Sequence, residues 1–112
     1  MEITIKTKDV KLNPGLEQFI NKHIGVLGKF LPPNATGFIE VEIGLITKHH
    51  QKGDIYSAEI LIEEPMGNVF RAYSEKPNIE MAVTDAKKEM EAQLTKFKDK
   101  LITERKKGGE EI

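Results

Sequence analysis

The chain has 112 residues, with 17 Lys plus Arg against 18 Asp plus Glu, and holds neither cysteine nor tryptophan. That length supports one domain with one modest core, and 38% apolar with 31% charged residues marks a globular chain rather than a disordered one. No apolar run approaches the roughly 20 residues of a membrane span, and the missing cysteines exclude a disulfide framework, thiol catalysis and Cys-ligated zinc.

The N-terminal Met1-Glu2-Ile3-Thr4-Ile5-Lys6 lacks the basic start and long apolar stretch of a secretory signal, so the cytoplasm is the expected compartment. Ile3 and Ile5 alternate with Thr4 and Lys6, which predicts a short strand over residues 2–7. Asn13-Pro14 is a helix start, since Asn can cap and Pro suits the first helical position. Leu16, Phe19, Ile20, His23, Leu27 and Phe30 recur at three and four and make one apolar stripe. Gly25 and Gly28 weaken that helix by roughly 1 kcal/mol each relative to Ala, and Pro32-Pro33-Asn34 ends it.

From Gly37 the period changes to two. Ile39, Val41, Ile43 and Leu45 point one way, with Glu40 and Glu42 the other. After a polar loop from Thr47 to Asp54, Tyr56, Ala58, Ile60 and Ile62 alternate against Ser57, Glu59 and Leu61. Pro65-Met66-Gly67-Asn68 is a turn signal that predicts a hairpin into a strand from Val69 to Ser74. Pro77-Asn78 breaks that strand, and Asn78 can cap the next element. Ile79, Val83, Ala86, Met90, Leu94, Phe97 and Leu101 then fall within about 40° of one direction at 100° per residue. They predict a helix of roughly 25 residues, ended by Gly108-Gly109. The order β-α-β-β-β-α implies an α+β two-layer domain, a four-stranded sheet with two helices on one face and Glu40, Glu42 and Glu59 on the other. Residues 1–107 are the expected domain and residues 108–112 a short flexible tail.

The near-zero net charge hides an uneven distribution. Residues 1–36 carry five Lys against three acids, residues 37–64 two Lys against six acids, and residues 87–107 eight basic side chains against four acidic ones. Local potential, rather than the total, attracts a polyanion. Around the last helix, Lys87, Lys98 and Arg105 share one shoulder, Lys96, Lys100 and Lys107 line the other, and Lys88 and Lys106 point outward. The first helix adds Lys22 and Lys29. Such a basic rod over a rigid sheet can track phosphates, each Lys acting as a mobile point charge. With few aromatics, shape and backbone recognition is expected rather than base stacking.

Signals for chemistry are weak. There is no glycine-rich phosphate loop and no nucleophile elbow, so no catalytic residue, metal ligand, cofactor or small-molecule substrate is assigned. His49-His50 near Asp54 lacks a second pair of ligands. His23 lies on the apolar stripe, where packing is the simpler role. Glu63-Glu64 precedes a turn and reads as solvated charge. A protein-interaction or regulatory module without RNA binding, homodimeric through the open face, is the competing reading. Its acidic residues would repel a second copy, so a monomer is expected.

Four stretches together resemble the short-form ribosome hibernation-promoting factors of the ribosome-associated inhibitor (sigma-54 modulation) family, over about residues 2–102. They are Ile3-Thr4-Ile5-Lys6-Thr7-Lys8, the helical pattern ending Leu27-Gly28-Lys29-Phe30, Pro65-Met66-Gly67-Asn68 with Ala72-Tyr73-Ser74-Glu75, and Gln93-Leu94-Thr95-Lys96-Phe97-Lys98-Asp99-Lys100. The last is similar to the family's Gln-Leu-x-Lys-x-Lys-x-Lys signature. The resemblance implies a fold like a double-stranded-RNA-binding domain. It also implies binding to the small ribosomal subunit, on 16S rRNA in the channel of messenger and transfer RNA, with translation inhibited in stationary phase or stress. Lys29, Lys96, Lys98 and Lys100 match family basic positions, and His23 aligns with one. Val26, Glu89 and Ala92 stand where the family commonly has basic residues. The long form's dimerisation domain has no counterpart here, so pairing of ribosomes would need a separate partner factor.

Overall fold

The computed structural model describes residues 3–31, 38–46, 53–64 and 67–110, the last ten by their backbone alone. The elements run β1 (Ile3–Lys8), α1 (Pro14–Gly25), a 3-10 turn (Val26–Phe30), β2 (Phe38–Ile46), β3 (Ile55–Glu63), β4 (Val69–Lys76) and α2 (Ile79–Glu110). The strands form one sheet in the order β1-β2-β3-β4, with β1 parallel to β2 and the remaining pairs antiparallel. This is the expected α+β arrangement. The Pro32-Pro33-Asn34 segment, the His49-His50 loop and Pro65-Met66 lie outside the described residues.

Asn13 starts α1 as its spacing predicts. Its backbone is extended and its side-chain Oδ1 accepts a hydrogen bond from the Leu16 N–H at 2.8 Å, satisfying one of the free donors of the first turn. The stripe that reaches the core is Leu16, Ile20, Ile24 and Leu27, all buried, while Phe19, His23 and Phe30 flank it half-buried. One continuous helix to Phe30 does not form. The α-helix stops at Gly25 and tightens into the 3-10 turn, where Gly25 and Gly28 weaken α-helical winding. The tighter turn still delivers Leu27 and Leu31 to the core.

The inner face of the sheet follows the period of two. Ile39 pairs with Ile62, Val41 with Ile60 and Ile43 with Ala58, and Ala72 continues the row from Ile60 onto β4. All of these are buried. On the other face Glu40, Glu42 and Glu59 face outward, as the alternation requires. Lys6 Nζ lies 3.0 Å from Glu40 and Arg71 Nε lies 3.9 Å from Glu59, while Glu42 is the register partner of Lys6 on β1.

Glu64 corrects the expectation of solvated charge after β3. It is 2% exposed. Its Oε1 accepts hydrogen bonds from the Asn68 backbone N–H at 2.9 Å and the Asn68 side-chain amide at 2.7 Å. The Gly67 N–H donates to the Glu64 carbonyl at 3.0 Å, with Gly67 at φ 99°, a conformation that glycine adopts without a Cβ clash. Asn68 therefore stands against the carboxylate where solvent was expected.

In α2 the Asn78 side chain accepts from the Met81 N–H at 2.8 Å. Val83, Ala86, Met90 and Leu94 are fully buried, as the helical spacing predicts, and Phe97 meets Phe70 of β4 edge-on at 5.1 Å. The helix is longer than expected. It has 32 residues and passes through Gly108-Gly109 to Glu110. Glycine lowers helix propensity but ends a helix only where the chain turns left-handed. At 1.5 Å per residue α2 spans about 48 Å, whereas a nine-residue strand spans about 30 Å. The helix is therefore about 18 Å longer than the strands it packs on, and its described packing runs from Ile79 to Phe97.

Candidate nucleic-acid interface

Two polar contacts fix how α2 sits on the sheet. Ser74, buried on the inner face of β4, donates its hydroxyl to Asp85 Oδ2 at 2.7 Å. Two turns on, Gln93 Nε2 donates to the Arg71 carbonyl of the same strand at 2.8 Å. Asp85 and Gln93 thus place one shoulder of α2 over β4, the last strand of the sheet. The other shoulder, carrying Lys87, Glu91 and Lys98, turns toward α1. Neither contact follows from periodicity alone. The signal for them was the placement of Asp85 and Gln93 on the same shoulder as Lys96 and Lys100.

The basic residues divide accordingly. Lys96 and Lys100, at i and i+4, are exposed on the β4 shoulder. Lys98 is exposed on the α1 shoulder, and Lys88 is also exposed. Lys87 is different. Its side chain is 21% exposed, with Nζ 3.7 Å from Glu91 Oε1, an i,i+4 pair that offsets its charge. The Arg105 side chain lies outside the described residues, as do those of Lys106 and Lys107.

On α1, Lys22 is exposed in the last turn, and His23 packs half-buried against the Phe19 ring at 4.2 Å between centroids. That geometry gives His23 a packing role and leaves part of its ring exposed. Lys29 is exposed at the end of the 3-10 turn, its Nζ 5.5 Å from the Phe30 ring centroid, within reach of a cation–π attraction. Val26, Glu89 and Ala92, the three departures from the family pattern, are all exposed.

These positions suit charge-based binding of an extended anion. The exposed lysines project from helices packed on a sheet, and a lysine stem is long and flexible enough to follow an extended anion. Among the described residues no group of three or more His, Asp and Glu could hold a metal ion. No described helix is long and apolar enough to cross a membrane.

Comparison with known proteins adds an independent line. Comparison with curated proteins finds no match. Among solved structures, the N-terminal domain of Protein Y from Thermus thermophilus superposes with a TM-score of 0.71 at 19% identity, covering 87% of this chain and 99% of that one. A ribosomal subunit interface protein from Coxiella burnetii superposes with a TM-score of 0.69 at 20% identity, covering 88% and 99%. At such identities the likeness speaks for the fold. The family model described as sigma 54 modulation protein / S30EA ribosomal protein matches residues 3–102, nearly the whole of the packed domain, and the chain belongs to that family.

Proposed function

We propose that this protein is a ribosome-associated translation inhibitor that binds the small subunit through 16S rRNA and keeps idle ribosomes out of initiation in stationary phase or stress. The observation that carries this reading is that Lys96, Lys98 and Lys100 are all exposed, on two shoulders of a helix that outruns its sheet, in the Gln-Leu-x-Lys-x-Lys-x-Lys stretch of a family member. The chemistry is electrostatic. Lysines that neutralise phosphates release condensed counterions, so affinity falls as salt rises. Lys22 and Lys29 extend the exposed basic surface onto α1 and Lys88 along α2, while His23, Lys87 and Arg105 are further candidate positions in the reading. No bond is made or broken. A folded domain bound where messenger and transfer RNA must pass inhibits by occupying the space.

Sucrose-gradient co-sedimentation with purified bacterial ribosomes at low and raised salt tests this. The expected result is migration with the small subunit and the whole ribosome, lost as salt rises, and lost at low salt in a Lys96→Glu, Lys98→Glu, Lys100→Glu variant. A protein that stays at the top of the gradient at low salt, or a triple variant that migrates like the parent, would overturn it. The first of these outcomes would favour the interaction-module reading.

A further inference from the structure

The Gln93 amide lies between two groups with different roles. One turn before it and beyond, α2 is held by burial of Met90 and Leu94. One and two turns after it, Lys96 and Lys100 point into solvent. Interdigitated apolar side chains limit the rotation of α2 as far as Leu94, and beyond it the described packing is one aromatic contact. A hydrogen bond is directional. Its donor on the helix and its acceptor on the strand specify one azimuth. At 100° per residue, Asp85, Gln93, Lys96 and Lys100 fall within about 80° of one another, on the shoulder over β4. Ser74–Asp85 and Gln93–Arg71 are the two side-chain hydrogen bonds between this shoulder and β4 among the described residues. Gln93 is the one nearer the lysines. Beyond it the aromatic contact of Phe97 with Phe70 is the last described packing of α2.

We infer that Gln93 is a positioning residue for phosphate binding: by donating to the Arg71 carbonyl it sets the rotation of α2, and so aims Lys96 and Lys100 at the RNA backbone. The inference rests on the RNA-binding reading above and adds to it a residue that touches no phosphate. A helix surface lies about 5–6 Å from its axis, so releasing a rotation of 20° moves that surface by about 2 Å. At the longer radius of a lysine ammonium the displacement is greater. A lysine stem can follow such a shift only by giving up rotamer freedom, which weakens the contact. The same hydrogen bond occupies an outward carbonyl on the exposed edge of β4, where an added strand would otherwise pair.

The test uses Gln93→Leu, which keeps the volume and the helix propensity but has no donor, and Gln93→Met, which keeps the unbranched stem and the net charge but has no donor either. Binding to purified small ribosomal subunits is measured over a range of salt, for each variant alone and combined with Lys96→Ala, Lys100→Ala. Thermal unfolding of the same proteins is followed in parallel. In the parent background, each Gln93 variant is expected to weaken binding several-fold and to flatten the salt slope by about one, the signature of a lost phosphate contact. In the double-lysine background the Gln93 variants should add no further loss. A role confined to stability would lower the unfolding temperature and leave the slope unchanged, which overturns the inference. Equal losses with and without the two lysines also overturn it, because the effect then does not pass through them. If Lys96→Ala, Lys100→Ala binds as the parent does, the assignment of those lysines to RNA fails first, and the positioning role falls with it.

Discussion

Glu42 on β2 and Glu59 on β3 stand directly opposite each other on the open face of the sheet. Like charges at facing positions destabilise a strand pair, and here Arg71 reaches across from β4 to Glu59 at 3.9 Å while Lys6 pairs with Glu40. Position 42 also faces Lys6 on β1, so a neutral residue relieves the repulsion without creating a new one. Glu42→Gln is expected to stabilise the fold by about 0.3 kcal/mol and to raise the unfolding temperature by about 1–2 °C. The gain should shrink as salt is raised, since both side chains reach solvent. Calorimetry at two salt concentrations reads both effects.

Asn68→Ala removes a side-chain donor from a carboxylate that is 2% exposed. Hydrogen bonds to charged groups contribute about 1.5–3 kcal/mol, so a loss of about 2 kcal/mol is expected in urea unfolding, with an unchanged m value. Asn68→Asp should cost more, because a second carboxylate would then face Glu64.

Glu89 and Ala92 are exposed on α2, one turn and one residue before Gln93 respectively. On a helical wheel Glu89 shares the shoulder of Lys96 and Lys100, and Ala92 lies one turn before Lys96 on the same face. Glu89→Lys with Ala92→Arg should tighten binding to small subunits and steepen the salt dependence by about one for each additional phosphate neutralised. Binding titrations at several salt concentrations would show it, and an unchanged slope would mean that this part of α2 faces away from the RNA.

Tyr73 makes a small contribution to the alkaline behaviour of the fold. Its phenol is raised above the ordinary range, first by desolvation, then by the charge of Glu75, with Glu59 contributing. An acid whose folded pKa is raised is stabilising in its protonated form. Its contribution is complete below the unfolded pKa near 10 and is lost as pH rises from there through the folded value. Tyr73 is nearly half exposed, so screening keeps the effect small. Tyr73→Phe should make the unfolding temperature less steeply dependent on pH above about 10, and absorbance titration of the phenolate should show a late-titrating tyrosine missing from that variant.

What could be read from the sequence was whatever repeats. Ile39, Val41 and Ile43 at period two, and Val83, Ala86, Met90 and Leu94 at three and four, place both layers and the inner face of the sheet. The order of elements follows from the breaks at Asn13-Pro14 and Pro77-Asn78. What escaped depends on single contacts. The change from α to 3-10 winding at Gly25 balances two similar geometries, and Glu64 looks solvated until the turn folds Asn68 over it. The candidate site divides the same way. Helical spacing put Lys96, Lys98 and Lys100 on their shoulders, but it could not say which shoulder meets β4. Hydrogen bonds between elements distant in sequence decide that, as Gln93 with Arg71 shows. The pairing of Lys87 with Glu91 is an i,i+4 relationship already present in the sequence.

The excess length of α2 gives the molecule two widths. It measures 61 × 29 × 19 Å overall, but a lone helix with its side chains is only about 10–12 Å across. A crevice too narrow for the body can therefore admit the end of α2, and the rim of the sheet then acts as a shoulder stop. Depth of entry is set by how far the helix outruns the strands, about 18 Å from the lengths of the two elements. A deletion that shortened α2 by one turn would change that depth by about 5.4 Å without touching the packed layers beneath.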